Sequence, residues 1–178
     1  MTAKFDVRGK LLPDGLPASV DARHEFFELY KIMVASSEAL VGRRQAVNTF
    51  FLTINGLLLT AVGLFVRTGG QAHLRLHGVA IFVLALAGFI ICFAWRSLII
   101  SFGQLNTGKF KIINEMEREL AASIFAAEWE ALERGENPAV YRTFTSREIY
   151  IPILLGCLYL LTVVLSGLVV IGAWHPRL

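Results

Sequence analysis

Hydrophobic and polar positions alternate along this chain on two scales. On the coarse scale, residues 46–66, 78–95 and 149–174 contain no Asp, Glu, Lys or Arg. A charge at mid-bilayer costs about 2.5–3.5 kcal/mol, so charge-free runs of about 20 residues mark membrane-spanning helices. On the fine scale, the segments between the runs carry helical periodicity. At the helical repeat, Phe26, Leu29, Tyr30, Met33, Val34, Leu40 and Val41 share one sector, with Glu25, Glu28, Lys31, Glu38 and Arg43 outside it. This predicts an amphipathic helix that runs straight into the first span.

After the second span the helix is predicted to continue through Leu98, Ile99, Phe102 and Leu105. Asn106, Thr107 and Gly108 then predict a break. Phe110, Ile112, Ile113, Met116 and Leu120 form a further apolar stripe against Lys111, Asn114, Glu115, Arg118 and Glu119. A third amphipathic piece, at 125–132, ends at Gly135-Glu136-Asn137-Pro138. Thr145 and Glu148 have capping-box spacing ahead of the last span, and Pro152 predicts a bend near its start.

The pattern therefore predicts an all-α integral membrane protein with three transmembrane helices and cytoplasmic amphipathic helices extending from them. The segments are a flexible tail at 1–20, an amphipathic helix at 21–45 and the first span at 46–66. An external loop at 67–77 leads to the second span at 78–95. A cytoplasmic helical segment at 96–148 precedes the third span at 149–174, and an external C-terminus occupies 175–178. Composition agrees: 55% of the 178 residues are hydrophobic, with a mean hydropathy of +0.58, too apolar for an ordinary soluble domain. No apolar stretch of signal-peptide type stands within residues 1–20.

Charge orients the segments. Of 17 Lys and Arg, seven precede the first span and seven lie between the second and third. Arg67, Arg75 and Arg177 are the remainder, so the bias places the N-terminus and the long middle segment in the cytoplasm. All 14 acidic residues lie on those same segments. Their net charge is zero, which argues against nucleic acid as a partner. A bacterial inner membrane, with the C-terminus on the periplasmic side, is the expected location.

The first span has two unlike sides. Asn48, Leu52, Asn55 and Leu59 line one edge, with Thr49, Thr53, Gly56, Thr60 and Gly63 beside them. Phe50, Phe51, Ile54, Leu57, Leu58, Ala61, Val62 and Phe65 lie opposite. In lipid, helices associate through close approach at small residues and through hydrogen bonds, not through hydrophobicity. The small polar side is therefore expected to face protein, within the subunit or between copies, and the bulky side to face lipid. A water-filled lumen lined by the asparagines and threonines is the alternative, although Leu52 and Leu59 would constrict it. Arg43, Arg44 and Gln45, with Trp95, Arg96 and Trp174, are expected at the membrane interface or between subunits.

Chemistry is sparse. Cys92 and Cys157 fall inside spans, where they act as small apolar residues. His73 and His77 stand four apart in the external loop and His175 lies on the same side; they are weighed as a metal site against plain interfacial polar residues. Phosphate loops, nucleophile elbows and Cys/His metal motifs are missing from the cytoplasmic segments, so neither an enzyme nor a cofactor is expected.

Leu29-Tyr30-Lys31, Arg43-Arg44-Gln45, Asn48, Phe50-Phe51, Asn55, Trp95-Arg96 and Ser101 form a combined pattern. It continues through Leu105-Asn106, Gly108-Lys109-Phe110, Glu115-Met116-Glu117 and Glu128-Trp129. With these residues the chain resembles the bacterial RipA family of octameric membrane proteins. The resemblance implies a homo-octamer of the cytoplasmic membrane and supplies no catalytic residues. The expected partners are then other copies of the chain and lipid. The expected role is a self-assembling ring serving as a membrane scaffold or stress-related component. A gated pore lined by the first span and a membrane anchor for a cytoplasmic partner are the alternatives.

Overall fold

The computed structural model describes residues 6–13, 15, 19–68, 74–141 and 147–172. The regular elements within them are all helical: α1 (Val7–Leu11), α2 (Val20–Thr68), α3 (Leu74–Glu117), α4 (Ile124–Ala131), a 3-10 turn (Glu133–Gly135) and α5 (Tyr150–Val170). Stretches of α2, α3 and α5 are long and apolar enough to cross a bilayer. The protein is an all-α membrane protein with three such helices.

The 49 residues of α2 hold no proline and form one unbroken helix. Ser19 accepts a hydrogen bond from the Ala22 amide at 3.1 Å at its start, satisfying one of the amides left over in a first turn. At 1.5 Å per residue α2 is about 74 Å long, over twice the ~30 Å hydrocarbon core. The 44-residue α3 is likewise too long to be only a membrane span.

The break expected at Asn106-Thr107-Gly108 does not occur, because α3 continues to Glu117. Partners in the helical conformation explain why. The Thr107 hydroxyl donates to the Gly103 carbonyl at 3.0 Å. Ser37 donates to the Asn106 side chain at 3.5 Å, and Lys109 donates to the Ser36 hydroxyl. These contacts outweigh the ~1 kcal/mol helix penalty of Gly108.

The chain divides into two compact units. The first comprises residues 1–44 and 101–144. Phe26, Leu40, Ile113 and Met116 form its buried apolar centre. The inward positions of α2 here, Phe26, Tyr30, Met33, Ser37 and Leu40, alternate in steps of four and three. That is the spacing of two helices packed along a coiled-coil seam. The segment expected as a flexible tail contributes α1 to this unit. Asp6 accepts from the Gly9 amide at its start, and Arg8 ion-pairs with Glu119 at 2.7 Å and Glu115 at 3.7 Å. Helix α4 ends where Glu133, Arg134 and Gly135 take positive φ in succession, a left-handed run incompatible with further α-helix.

The second unit comprises residues 45–100 and 145–178. One cluster joins Phe51, Trp95 and Ile99, with Val47, Ile91 and Leu155 packed on it. A second joins Ala85, Cys92 and Tyr159, with Leu58, Leu59, Phe89, Leu155 and Val163 around it. Pro152 is buried in the first turn of α5, where its missing N–H would have had no intrahelical acceptor. Thr145, its expected cap, lies outside the described residues.

Candidate functional site

The polar residues of the first span separate into two groups, one turned inward from α2 and one turned outward. One group turns inward. The Trp95 indole N–H donates to the Asn48 side-chain oxygen at 2.8 Å. Asn55 is 1% exposed. Its amide nitrogen donates to the Phe51 carbonyl at 2.8 Å, and its oxygen accepts from the Cys92 thiol at 3.3 Å. The Tyr159 hydroxyl then donates to the Asn55 backbone carbonyl at 3.2 Å. One residue of α2 thereby ties α3 and α5 together. With no water in the hydrocarbon layer, an unmatched polar group there costs several kcal/mol, so these contacts select one register among the three helices.

The second group turns outward. Thr49, Thr53, Gly56, Thr60 and Gly63 are exposed, spaced four, three, four and three apart. A Cβ added at Gly56 or at Gly63 would meet nothing within 4 Å. The three threonine hydroxyls donate to the carbonyls of Gln45 (3.1 Å), Thr49 (2.9 Å) and Gly56 (2.8 Å), one turn back in the same helix. Their donors are thus spent inside α2. What the stripe presents outward is methyl groups and bare glycine backbone: a shallow, largely apolar groove.

Two expectations need correction. Phe51, placed on the lipid-facing side, is buried and stacks on Trp95 with 5.6 Å between ring centroids and 3° between planes. The inward side of α2 is rotated from the asparagine edge toward Phe51 because the broad Trp95 face of α3 gives an aromatic ring more contact than lipid does. Trp95, expected as an interfacial anchor or inter-subunit residue, is 1% exposed and lies in the core of the second unit. Its N–H finds Asn48 instead of a headgroup. Of the other expected interface residues, Arg43, Gln45 and Arg96 are exposed and Arg44 is half-buried. Trp174 lies outside the described residues, as do His73 and His175. His77 is packed edge-on against Phe65.

Sequence reasoning missed Tyr159, which packs against Gly88. A Cβ on Gly88 would come within 2.4–2.7 Å of three Tyr159 ring atoms. The helices close together there because residue 88 has no side chain. A phenol in mid-span was the available signal, since its hydroxyl must find a protein partner in lipid. In the first unit, Glu117 of the Glu115-Met116-Glu117 pattern is fully buried. Its carboxylate accepts from the Tyr30 hydroxyl at 3.0 Å, from the Phe125 amide at 3.0 and 3.1 Å and from the Ala126 amide at 3.2 Å. It thereby caps the first turn of α4 from the end of α3. Burial, and then the hydrogen bond to Glu117, push the Tyr30 phenol up to about 12.

A family model described as the octameric membrane protein family (8xMP) matches residues 27–169 of this chain, spanning all three membrane-length helices. The chain belongs to this family. No curated protein and no solved structure matches it. Membership agrees with the octameric resemblance read from the residues and makes this a self-associating membrane protein. An octamer requires each protomer to offer surface to its neighbours.

Proposed function

We propose that this protein is a non-enzymatic, self-assembling component of the bacterial inner membrane, a homo-oligomeric ring acting as a membrane scaffold or stress-related element. The observation that carries this reading is the outward Thr/Gly stripe of α2 in a chain of an octameric family. Small residues at helical spacing are what membrane helices use to approach one another. Among the described residues this stripe is exposed, and a Cβ added at Gly56 or Gly63 meets nothing within 4 Å.

The distribution of Lys and Arg supports an orientation with the N-terminus and the middle segment in the cytoplasm. Neither a carboxylate, a Lys nor a His stands within the three charge-free spans, which favours a structural role over proton-coupled transport. The exposure of the threonines also favours a second reading, a gated conduit lined by α2. Donation of their hydroxyls to their own helix weighs toward a dry contact instead.

Native mass spectrometry in mild detergent and ion flux in liposomes test the two together. The scaffold reading expects an octamer and no flux under any gradient. Flux that responds to Thr53→Asp or Thr60→Asp would replace it with the conduit, and a monomer in every detergent would end it.

A further inference from the structure

Within the first unit, residues 1–44 and 101–144, α2 and α3 lie side by side, and the pair has two sides. One side is marked by the hydrogen bond from Lys109 to Ser36. The other is marked by Tyr30 donating to Glu117 and by Phe110 edge-on to Phe125, the contacts that seat α4. At the helical repeat, Leu29 and Ile32 share a stripe of α2 with Ser36, and Leu105 and Ile112 share a stripe of α3 with Lys109. Both stripes therefore open on the side away from α4.

On that side Leu29 is 52% exposed, Ile32 64% and Leu105 52%. Glu25, Glu28, Lys31, Lys109 and Lys111 stand among them, so the solvent here is water. An exposed leucine is at home in hydrocarbon, but in water the same surface drives association. Lipid cannot cover the far end of this face. Ile32 precedes the first charge-free run by 14 residues, about 21 Å of helix against a headgroup layer roughly 5–8 Å deep. The other exposed large apolar residues of α2 in this unit have separate explanations. Phe27 carries the Lys31 ammonium 5.3 Å from its ring centroid. Val41 is five residues from the first run, and Val20 is the first residue of the helix.

The opposite side of the unit presents α4, whose outward Ile124 is 65% exposed, with exposed Ala127 and Ala131 following at helical spacing. Charge tells the two sides apart. Among the described residues Lys109 donates to a hydroxyl and pairs with no carboxylate. On α4, Glu130 is held by Arg134, while Glu128 is exposed and pairs with no cation among the described residues. A ring contact joins two different faces of the same chain. These two are complementary, apolar against apolar, with an unneutralised cation on one and an unneutralised anion on the other.

We propose that the Leu29/Ile32/Leu105 face of one copy receives α4 of the next, with Lys109 opposite Glu128, repeating head to tail around the octamer. This rests on the self-assembly reading above, and the occupant is a second copy of this chain.

Photo-cross-linking of the full-length protein in membranes tests it, with p-benzoylphenylalanine in place of Ile32. Illumination should give a ladder from dimer to octamer, with the adducts mapped by peptide mass to residues 124–135 of the neighbouring copy. Lys109→Glu should lower the octamer fraction in native mass spectrometry, and Lys109→Glu with Glu128→Lys should restore it. No loss from the single change, or no recovery in the double, would overturn the pairing with α4. Adducts between two copies of position 32 would overturn it in favour of face on face, and adducts to lipid or to another protein in favour of that occupant. An octamer with no adduct from position 32 would refute this contact and leave self-assembly standing. Monomers with no adduct would refute both.

Discussion

Gly88→Ala isolates the closest approach in the membrane bundle. The added methyl would stand 2.4 Å from the Cζ atom of Tyr159 and 2.5 and 2.7 Å from its two Cε atoms, where carbon atoms prefer about 3.5–4.0 Å. The ring has little room to swing aside, because it is 1% exposed and its hydroxyl is held by the Asn55 carbonyl. Overpacking of this kind costs about 1–3 kcal/mol. Displacing the phenol also forfeits an interhelical hydrogen bond of about 0.6 kcal/mol. Alanine returns up to about 1 kcal/mol of helix propensity relative to glycine. The balance is a destabilisation of about 0.6–2.6 kcal/mol, using those same terms.

Thermal unfolding followed by circular dichroism in mild detergent reads this effect. The sharper version is a double-mutant cycle with Tyr159→Leu. Once the ring is gone, the same Gly88→Ala change should become neutral or stabilising. At Gly108, where nothing lies within 4 Å, the change to alanine should stabilise by up to about 1 kcal/mol. A Gly88→Ala protein as stable as the parent would refute the close-contact argument, and so would an additive cycle.

Other expectations follow from the remaining contacts. Phe51→Ala should cost about 3–5 kcal/mol as a cavity opens against Trp95, whereas Leu57→Ala on the outward side should change stability little in the same melting assay. Glu117→Leu leaves the Phe125 and Ala126 amides and the Tyr30 hydroxyl without their acceptor. At about 1–3 kcal/mol per stranded group, α4 should lose hydrogen-exchange protection and become a site of proteolytic nicking, and full protection would contradict the capping role. Tyr30 is raised from 10.0 to about 12, so the fold favours its neutral form. The stability it contributes is complete below pH 10 and is lost as pH rises toward 12. Tyr30→Phe should remove that portion of the alkaline decline, and identical curves would exclude it. Arg8→Ala should free α1 from Glu115 and Glu119 while costing at most about 1 kcal/mol, as exposed ion pairs do.

Much of the fold was legible in the residues because water and hydrocarbon solvate them so differently. Three charge-free runs, flanking amphipathic periodicity and the absence of proline from residues 18–137 specify long helices and the parts of them that enter lipid. The choice between lipid and a neighbouring helix is another matter, since both are apolar and hydropathy cannot separate them. Phe50 and Phe51 look alike in the sequence, yet Phe50 is exposed and Phe51 lies flat on Trp95. Asn106-Thr107-Gly108 reads as a helix end from propensity alone and stays helical because Ser36 and Ser37 engage the residues around it.

The asparagines and the Thr/Gly stripe show the same division. Composition marks both as polar features of one span. Which side of α2 is inward was decided by partners distant in the chain, Cys92, Trp95 and Tyr159, whose polar atoms claim Asn48 and Asn55. The threonines, already satisfied by their own backbone, stayed outside. Sequence determined which stretches leave water, because that energy belongs to each residue separately. Tertiary structure decided which faces meet, because the energy of an unmatched hydrogen bond in lipid belongs to a pair.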